Sequence, residues 1–342
     1  MTYRFRGLLL AGLLVGSNGG IWAQQAPAPF HPAHHAGKDS RIRISPVEHN
    51  GWPNSYLISN GKVEVVVVPA IGRVMQFRFV GEDGPLWENG LFYAKLPDPR
   101  SSDWGNFGGD KSWPAEQANW EKMTGRNWPP PAAFDAMAVE AKVDGDELVL
   151  TAALDPGYGI RETRRIKLSP LLPEMAITTT YEKVSGDPVP VAVWVITQMR
   201  EPERVFMLLP EKSAYPKGYN QQLGDTPPQD LKLDGRLLSL TRDAKAPHKI
   251  GSDGSSLLWM DDKYVLQIDS RRIPGVEYPD QGSSTEVYTN PDPLPYVELE
   301  MLGPLATMKV GDTLERTSTY RLSRRTTLDP GAEAKRSFGL AR

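Results

Sequence analysis

Lys62-Val-Glu-Val-Val-Val-Val-Pro69, followed closely by Gly72-Arg-Val-Met-Gln-Phe-Arg-Phe-Val80, decides the fold class of this chain. The first is a nearly unbroken β-branched run stopped by a proline, which reads as a strand buried on both faces. The second alternates along its length, as a strand does when one face meets a core. Working outward, 134–143 and 147–154 face each other across Asp144-Gly145-Asp146, a hairpin signature, and 161–168 and 175–184 repeat the arrangement across 170–173. Further strands are expected over 191–199, 204–209, 257–260, 264–269, 285–289, 296–302 and 314–322. Helical period of useful length is missing, and 31 glycines and 31 prolines supply turns. The pattern predicts an all-β protein, a large antiparallel sandwich.

Length and composition narrow the function. A 342-residue chain can bury a substantial core, and all-β sandwiches of this size run as one unit. The net charge of −3 comes without a basic cluster beyond pairs such as Arg164-Arg165 and Arg271-Arg272, which argues against nucleic acid as a partner. Cysteine is absent, so thiol nucleophiles, Cys-ligated zinc and disulfides drop out. Arg4 and Arg6 precede an apolar run from Leu8 to Val15, and Ala23 offers a small residue for cleavage. Residues 1–23 therefore read as a secretory signal peptide, too short in its apolar part to span a bilayer, and the mature protein is expected to be periplasmic or secreted. Residues 24–40, rich in Pro and Ala with His31, His34 and His35, read as a flexible leader. One domain is expected over 41–325, with a polar C-terminal tail over 326–342.

Two segments break the strand rhythm, 89–133 and 210–235. The first carries Trp104, Trp113, Trp120 and Trp128, four of the nine tryptophans. Indole is costly to leave in water, so a loop holding four of them needs a reason. Two reasons fit: the rings offer flat apolar faces with N–H edges to a sugar, or they seal the end of the sandwich core.

The opening of the core, Tyr56-Leu-Ile-Ser-Asn60-Gly61 through Val-Val-Pro69-Ala-Ile-Gly72-Arg73-Val, resembles the first hairpin of galactose mutarotase-like (aldose 1-epimerase-like) proteins. Leu266–Asp269, Pro274-Gly-Val, Tyr288-Thr-Asn290 and a strand bearing Glu298 and Glu300 follow that superfamily's order of substrate loop and catalytic carboxylate. Gly303-Pro304-Leu and Lys309-Val-Gly311-Asp look like its closing hairpins, and Gly108-Gly-Asp-Lys-Ser-Trp-Pro-Ala115 is similar to a segment of an uncharacterised bacterial branch. The likeness spans roughly 42–325. It implies a β-supersandwich with a carbohydrate cleft, in which a Glu base and a His acid act on either side of the anomeric carbon.

Glu298 and Glu300 lie two apart and share one strand face, where mutual repulsion raises one of them toward the range of a base. The expected His is replaced by Trp194, and indole is no acid near neutral pH. Of the histidines beyond the leader, His49 and His248, only His248 could substitute, and only by folding over the cleft. By resemblance, Lys111 stands in for an Arg that contacts hydroxyls and Asp110 for a hydroxyl acceptor. Arg73 either enters the cleft or pairs with an acid at the rim, such as Glu82 or Glu88.

The expected site is thus Glu298 and Glu300 as catalytic carboxylates, with Arg73, Asp110, Lys111, Trp113, Trp194 and Gln198 binding a mono- or oligosaccharide. It calls for no cofactor and no metal; the oxygen cage of a Ca²⁺ site is not visible. Binding with or without epimerase-type catalysis both fit. The competing reading is a non-enzymatic envelope protein whose Trp-rich loop docks a protein partner, because aromatic loops serve protein contacts equally well. A uronic-acid lyase or hydrolase would want a Tyr or His base beside a cation, for which Tyr215 and Tyr219 are poor candidates.

Overall fold

In a computed structural model the chain is described over residues 42–224 and 226–340. The expected signal peptide and leader, with His31, His34 and His35, lie outside the described residues.

The β-branched run forms the strand Val63–Val68, buried at every position, and the alternating run forms Arg73–Phe79. Both belong to an eleven-stranded sheet in the spatial order Arg43–His49, Trp52–Ser59, Val63–Val68, Arg73–Phe79, Asp110–Ala115, Val189–Arg200, Tyr296–Leu302, Thr285–Thr289, His248–Ser252, Asn220–Leu223, with Ala306–Met308 paired to the Val189–Arg200 strand. A ten-stranded sheet runs Lys232–Asp234, Leu237–Leu240, Arg204–Leu208, Ser256–Met260, Tyr264–Asp269, Thr313–Arg324, Glu174–Lys183, Ile160–Leu168, Glu147–Thr151, Glu140–Asp144. All strand pairings are antiparallel, among them the expected hairpin, with Asp144 opposite Glu147 across Gly145-Asp146. The all-β antiparallel sandwich read from the sequence is the architecture found. Among the described residues no helix is long and apolar enough to cross a membrane.

The main core lies between the sheets, with Val65, Val67, Val74 and Phe77 from one meeting Ile166, Ile177, Leu266 and Leu322 from the other. Polar side chains also bridge the sheets there. Asp110 pairs with Arg164 and accepts from the hydroxyls of Thr197 (2.6 Å) and Tyr320 (2.6 Å), while Ser112 donates to Glu162 at 2.5 Å. Each buried group has a charged or hydroxyl partner, which is what burial of polar atoms requires.

Three expectations change. The structureless 89–133 segment contains a strand, Asp110–Ala115, buried at every residue and seated in the middle of the larger sheet. Its sequence Asp-Lys-Ser-Trp-Pro-Ala lacks both alternation and β-branched residues, because one face meets polar inter-sheet partners and the other meets tryptophans. The 134–143 strand is shorter than expected: Ala132–Asp135 is a helical turn and the strand begins at Glu140. The polar C-terminal tail carries a helix, Pro330–Ser337. Asp329 caps its first turn by accepting from the Ala332 N–H, and Ala334 packs with Phe206, Leu258 and Met260. Its polarity misled because Glu333 is turned inward, accepting the Thr326 and Thr327 N–H groups at 3.1 and 2.9 Å.

Candidate functional site

Strand alternation sends the residues of the eleven-stranded sheet to two different faces. Asp110, Ser112 and Thr197 point between the sheets, as do Val297, Leu299 and Met301. Lys111, Trp113, Trp194, Gln198, Glu298 and Glu300 therefore share the outer face. Register brings them together: Trp194 lies opposite Trp113, Ile196 opposite Lys111 and Glu300, Gln198 opposite Glu298, and Glu286 opposite Glu300. Two glycines allow the entry into the Asp110 strand. Gly108 and Gly109 have φ of +94° and +74°, and a Cβ on Gly109 would lie 2.5 Å from the Val74 carbonyl oxygen.

A row of alternating acids and bases results. At one end Asp135 accepts from Arg73 (2.7 Å) and from the indoles of Trp113 (2.9 Å) and Trp104 (2.8 Å). Next, the Lys111 ammonium lies 4.9 Å from the centre of the Trp113 ring and 5.7 Å from that of Trp104, and its nearest carboxylate is Glu298 at 3.8 Å. No hydrogen bond reaches Lys111 Nζ, although the residue is only 1% exposed. Glu298 accepts from Gln198 Nε2 at 2.9 Å through Oε1. Beyond it, Glu300 accepts from Trp194 Nε1 at 2.6 Å and pairs with Lys249 at 2.9 Å; Lys249 also reaches Glu286 at 2.6 Å and stands 4.5 Å from the centre of the Trp194 ring.

Burial sets the protonation of this row. Desolvation pulls Lys111 down to about 8 against the attraction of Glu298. It pushes Glu298 up to about 7, with Lys111 holding it back and Glu300 adding repulsion. The expected carboxylate repulsion is thus present but secondary to loss of water. Lys249 resists desolvation because Glu286 and Glu300 raise it, while burial lifts Glu286 well above the carboxylate range. Asp280, also raised by burial, approaches Lys249 from a turn in which Asp280 and Gln281 both adopt positive φ, 49° and 63°.

The structure brings seven of the eight expected residues to one face. Asp110 is the exception, since its carboxylate is spent on Arg164, Thr197 and Tyr320 between the sheets. Arg73 is on the site side, but its guanidinium is engaged by Asp135 rather than by Glu82 or Glu88. His248 is not over the face. It opens the His248–Ser252 strand, bonds Asp243 at 3.0 Å, and alternates away from Lys249. His49 pairs with Glu88.

Asp135, Lys249, Glu286 and Asp280 escaped the sequence reading. Glu286 had a signal, a lone acid inside the strand Thr285–Thr289, directly beside Val287. Lys249 looked like a loop residue, since it closely follows Pro247 in Ala246-Pro-His-Lys249. The tryptophans expected on an open loop are packed on each other: Trp113 makes edge contacts with Trp104, Trp120, Trp128 and Trp194 at centroid distances of 5.4–6.0 Å. Of the five, Trp128 keeps the most exposure, at 41%. Two surface hollows of about 500 Å³ each, one lined by Ala138, Thr151 and Arg161, the other by Glu82, Arg200 and Arg324, lie away from the row. At the Asp135 end, Trp104 packs on Trp113 and Trp128 and lies 5.7 Å from the Lys111 ammonium.

No protein-family model matches the chain, and no curated protein matches it significantly. Solved structures do. A galactose mutarotase-like protein from Lactobacillus casei is similar over 79% of this chain and 100% of its own, with TM-score 0.51 and 10% identity. A galactose mutarotase related enzyme from Lactobacillus acidophilus is similar over 80% and 98%, with TM-score 0.50 and 10% identity. A TPR-domain containing protein from Parabacteroides distasonis is similar over 80% of this chain, with TM-score 0.54 and 12% identity; the chain spans 48% of that protein's length. These likenesses, over two large antiparallel sheets, show the fold to be the galactose mutarotase-like β-sandwich.

Proposed function

We propose that this protein recognises a mono- or oligosaccharide on the outer face of the eleven-stranded sheet, and that its mature form does so in the periplasm or outside the cell. The observation that carries the reading is the convergence of Lys111, Trp113, Trp194, Glu298 and Glu300 from three adjacent strands of a mutarotase-like sandwich. Indole faces for the C–H side of a sugar, and carboxylates and amines for its hydroxyl rim, are the groups such a ligand needs. The compartment rests on the charged and apolar pattern of residues 1–23; recovery of periplasmic protein beginning near Gln24 checks it.

Titration of intrinsic tryptophan fluorescence with a panel of saccharides tests the recognition. A saturable change is expected, weakened at least about tenfold in Trp128→Ala if stacking on that ring contributes about 1.4 kcal/mol or more. Emission indifferent to every saccharide, together with capture of one stoichiometric envelope protein, would replace this reading with protein docking.

A further inference from the structure

The strand that carries Lys111 and Trp113 is gripped from behind. It pairs with Val189–Arg200 at six registers, from Asp110 to Ala115, but with Arg73–Phe79 at one, where Val74 lies opposite Asp110. Side chains bind its carbonyls as well. Arg164 donates to that of Asp110 at 3.2 Å, Tyr181 to that of Trp113 at 2.9 Å and Trp120 to that of Pro114 at 2.7 Å. Arg164 and Tyr181 belong to the opposite sheet, and so does Glu162. The Glu162 carboxyl accepts from Ser112 at 2.5 Å, and the Ser112 hydroxyl is 3.3 Å from that of Tyr181.

We infer that Glu162 is a positioning residue for the saccharide face, acting through Ser112 and Arg164 on the strand that bears Lys111 and Trp113, and that its proton makes recognition depend on pH. The inference rests on the saccharide reading above. Glu162 touches no ligand, since it lies buried between the sheets. What it can reach is the back of the site strand, whose front is the candidate face.

The groups facing Glu162 suit its neutral form better than its ionised one. Arg164, on the same strand, has its Nε 3.9 Å away but is already paired with Asp110. Asp110, on the site strand, is an acid and repels a second carboxylate. Tyr181 on Glu174–Lys183 donates to the Trp113 carbonyl, and Tyr320 on Thr313–Arg324 donates to Asp110. Burial lifts the Glu162 carboxyl to about 7, with Arg164 and Ser112 opposing and Asp110 adding. Below that pH the neutral carboxyl leaves Arg164 to the side chain and carbonyl of Asp110. Above it, a buried carboxylate competes with Asp110 for the same guanidinium, and the contacts put at risk are those that seat the residue next to Lys111. Recognition is expected to weaken as pH rises through about 7.

Saccharide titrations by tryptophan fluorescence on the full chain, at about pH 6 and about pH 8.5, test the role. The readout is the ratio of the two affinities. It is expected to be at least about fivefold larger in the native chain than in Glu162→Gln, the lower end of coupling between separate sites. Glutamine cannot ionise but still accepts from Ser112. Lys111 and Glu298 titrate over the same range in both proteins, so the comparison isolates Glu162. Glu162→Leu, also uncharged at every pH, should match Glu162→Gln, and thermal unfolding at both pH values reports whether each variant is folded. Equal ratios in the native chain and in either folded variant would overturn the positioning role and leave recognition standing. No response of the native chain to any saccharide would remove the reading beneath it.

Discussion

Asp135 shows how much one side chain can hold in place. It is the acceptor for a buried guanidinium and for the indoles of Trp104 and Trp113, and so fixes both the Arg73 end of the row and the rings over Lys111. Removing one member of a buried ion pair leaves an uncompensated charge, a loss of about 3–5 kcal/mol. Asp135→Ala is therefore expected to lower the unfolding free energy by that margin, seen as a fall in the urea midpoint, and to redden tryptophan emission as Trp104 and Trp113 lose their acceptor. An unchanged midpoint would mean that Arg73 finds another partner. Asp110 makes the complementary point. It neighbours Lys111 in sequence but serves the opposite face, so its tie to Arg164, Thr197 and Tyr320 belongs to sheet-to-sheet cohesion.

At the scale of elements, the Asp110–Ala115 strand is the one on which the site depends, and its entry depends on Gly109. Alanine at that position would adopt a left-handed backbone, costing about 1–2 kcal/mol, and would press on the Val74 carbonyl and Met75 sulfur at 2.5 and 2.8 Å. Gly109→Ala should lose at least about 2 kcal/mol by chemical denaturation. Gly145→Ala, also at positive φ but with nothing near its would-be Cβ, should lose only the about 1 kcal/mol of backbone strain. Equal losses would show that the close approach at Gly109 is relieved by movement.

This strand also marks the limit of what could be read beforehand. Val63–Val68, Arg73–Phe79 and Val189–Arg200 announce themselves, because one or both of their faces meet an apolar core. Asp110–Ala115 faces a polar inter-sheet cluster on one side and indoles on the other, and such a strand has no apolar period to detect. Glu298 and Glu300 were legible as a same-face pair from spacing alone. Lys249 and Glu286 were not, since their meeting is set by the pairing of strands 37 residues apart, with Lys249 opposite Tyr288 and Glu286 next along the same face.

The molecule as a whole is two sheets joined partly by polar contacts, and this makes its stability depend on pH. Burial lifts Glu162 from 4.5 to about 7, partly opposed by Arg164 and by the hydrogen bond from Ser112. The folded form thus holds this proton more tightly than the unfolded chain does. Stability from this group is fully present below about pH 4.5 and is lost as pH rises through about 7. The span amounts to roughly 3 kcal/mol. Urea unfolding at pH 4.5 and 8 should show a larger drop for the native chain than for Glu162→Gln, by about that amount. Glu298 and Glu286 shift in the same direction, so the comparison between the two proteins isolates Glu162; identical drops would mean that the carboxyl is hydrated in solution. The indole group has its own consequence at this scale. Chromophores held at such spacings couple their strong electronic transitions, so the circular dichroism of the native protein should carry an exciton couplet in the far ultraviolet, on the long-wavelength side of the backbone bands. Because Trp113 meets Trp104, Trp120, Trp128 and Trp194 at 5.4–6.0 Å, that optical signature reports on the packing of the whole group. The protein thus carries a built-in spectroscopic gauge of how its indoles pack.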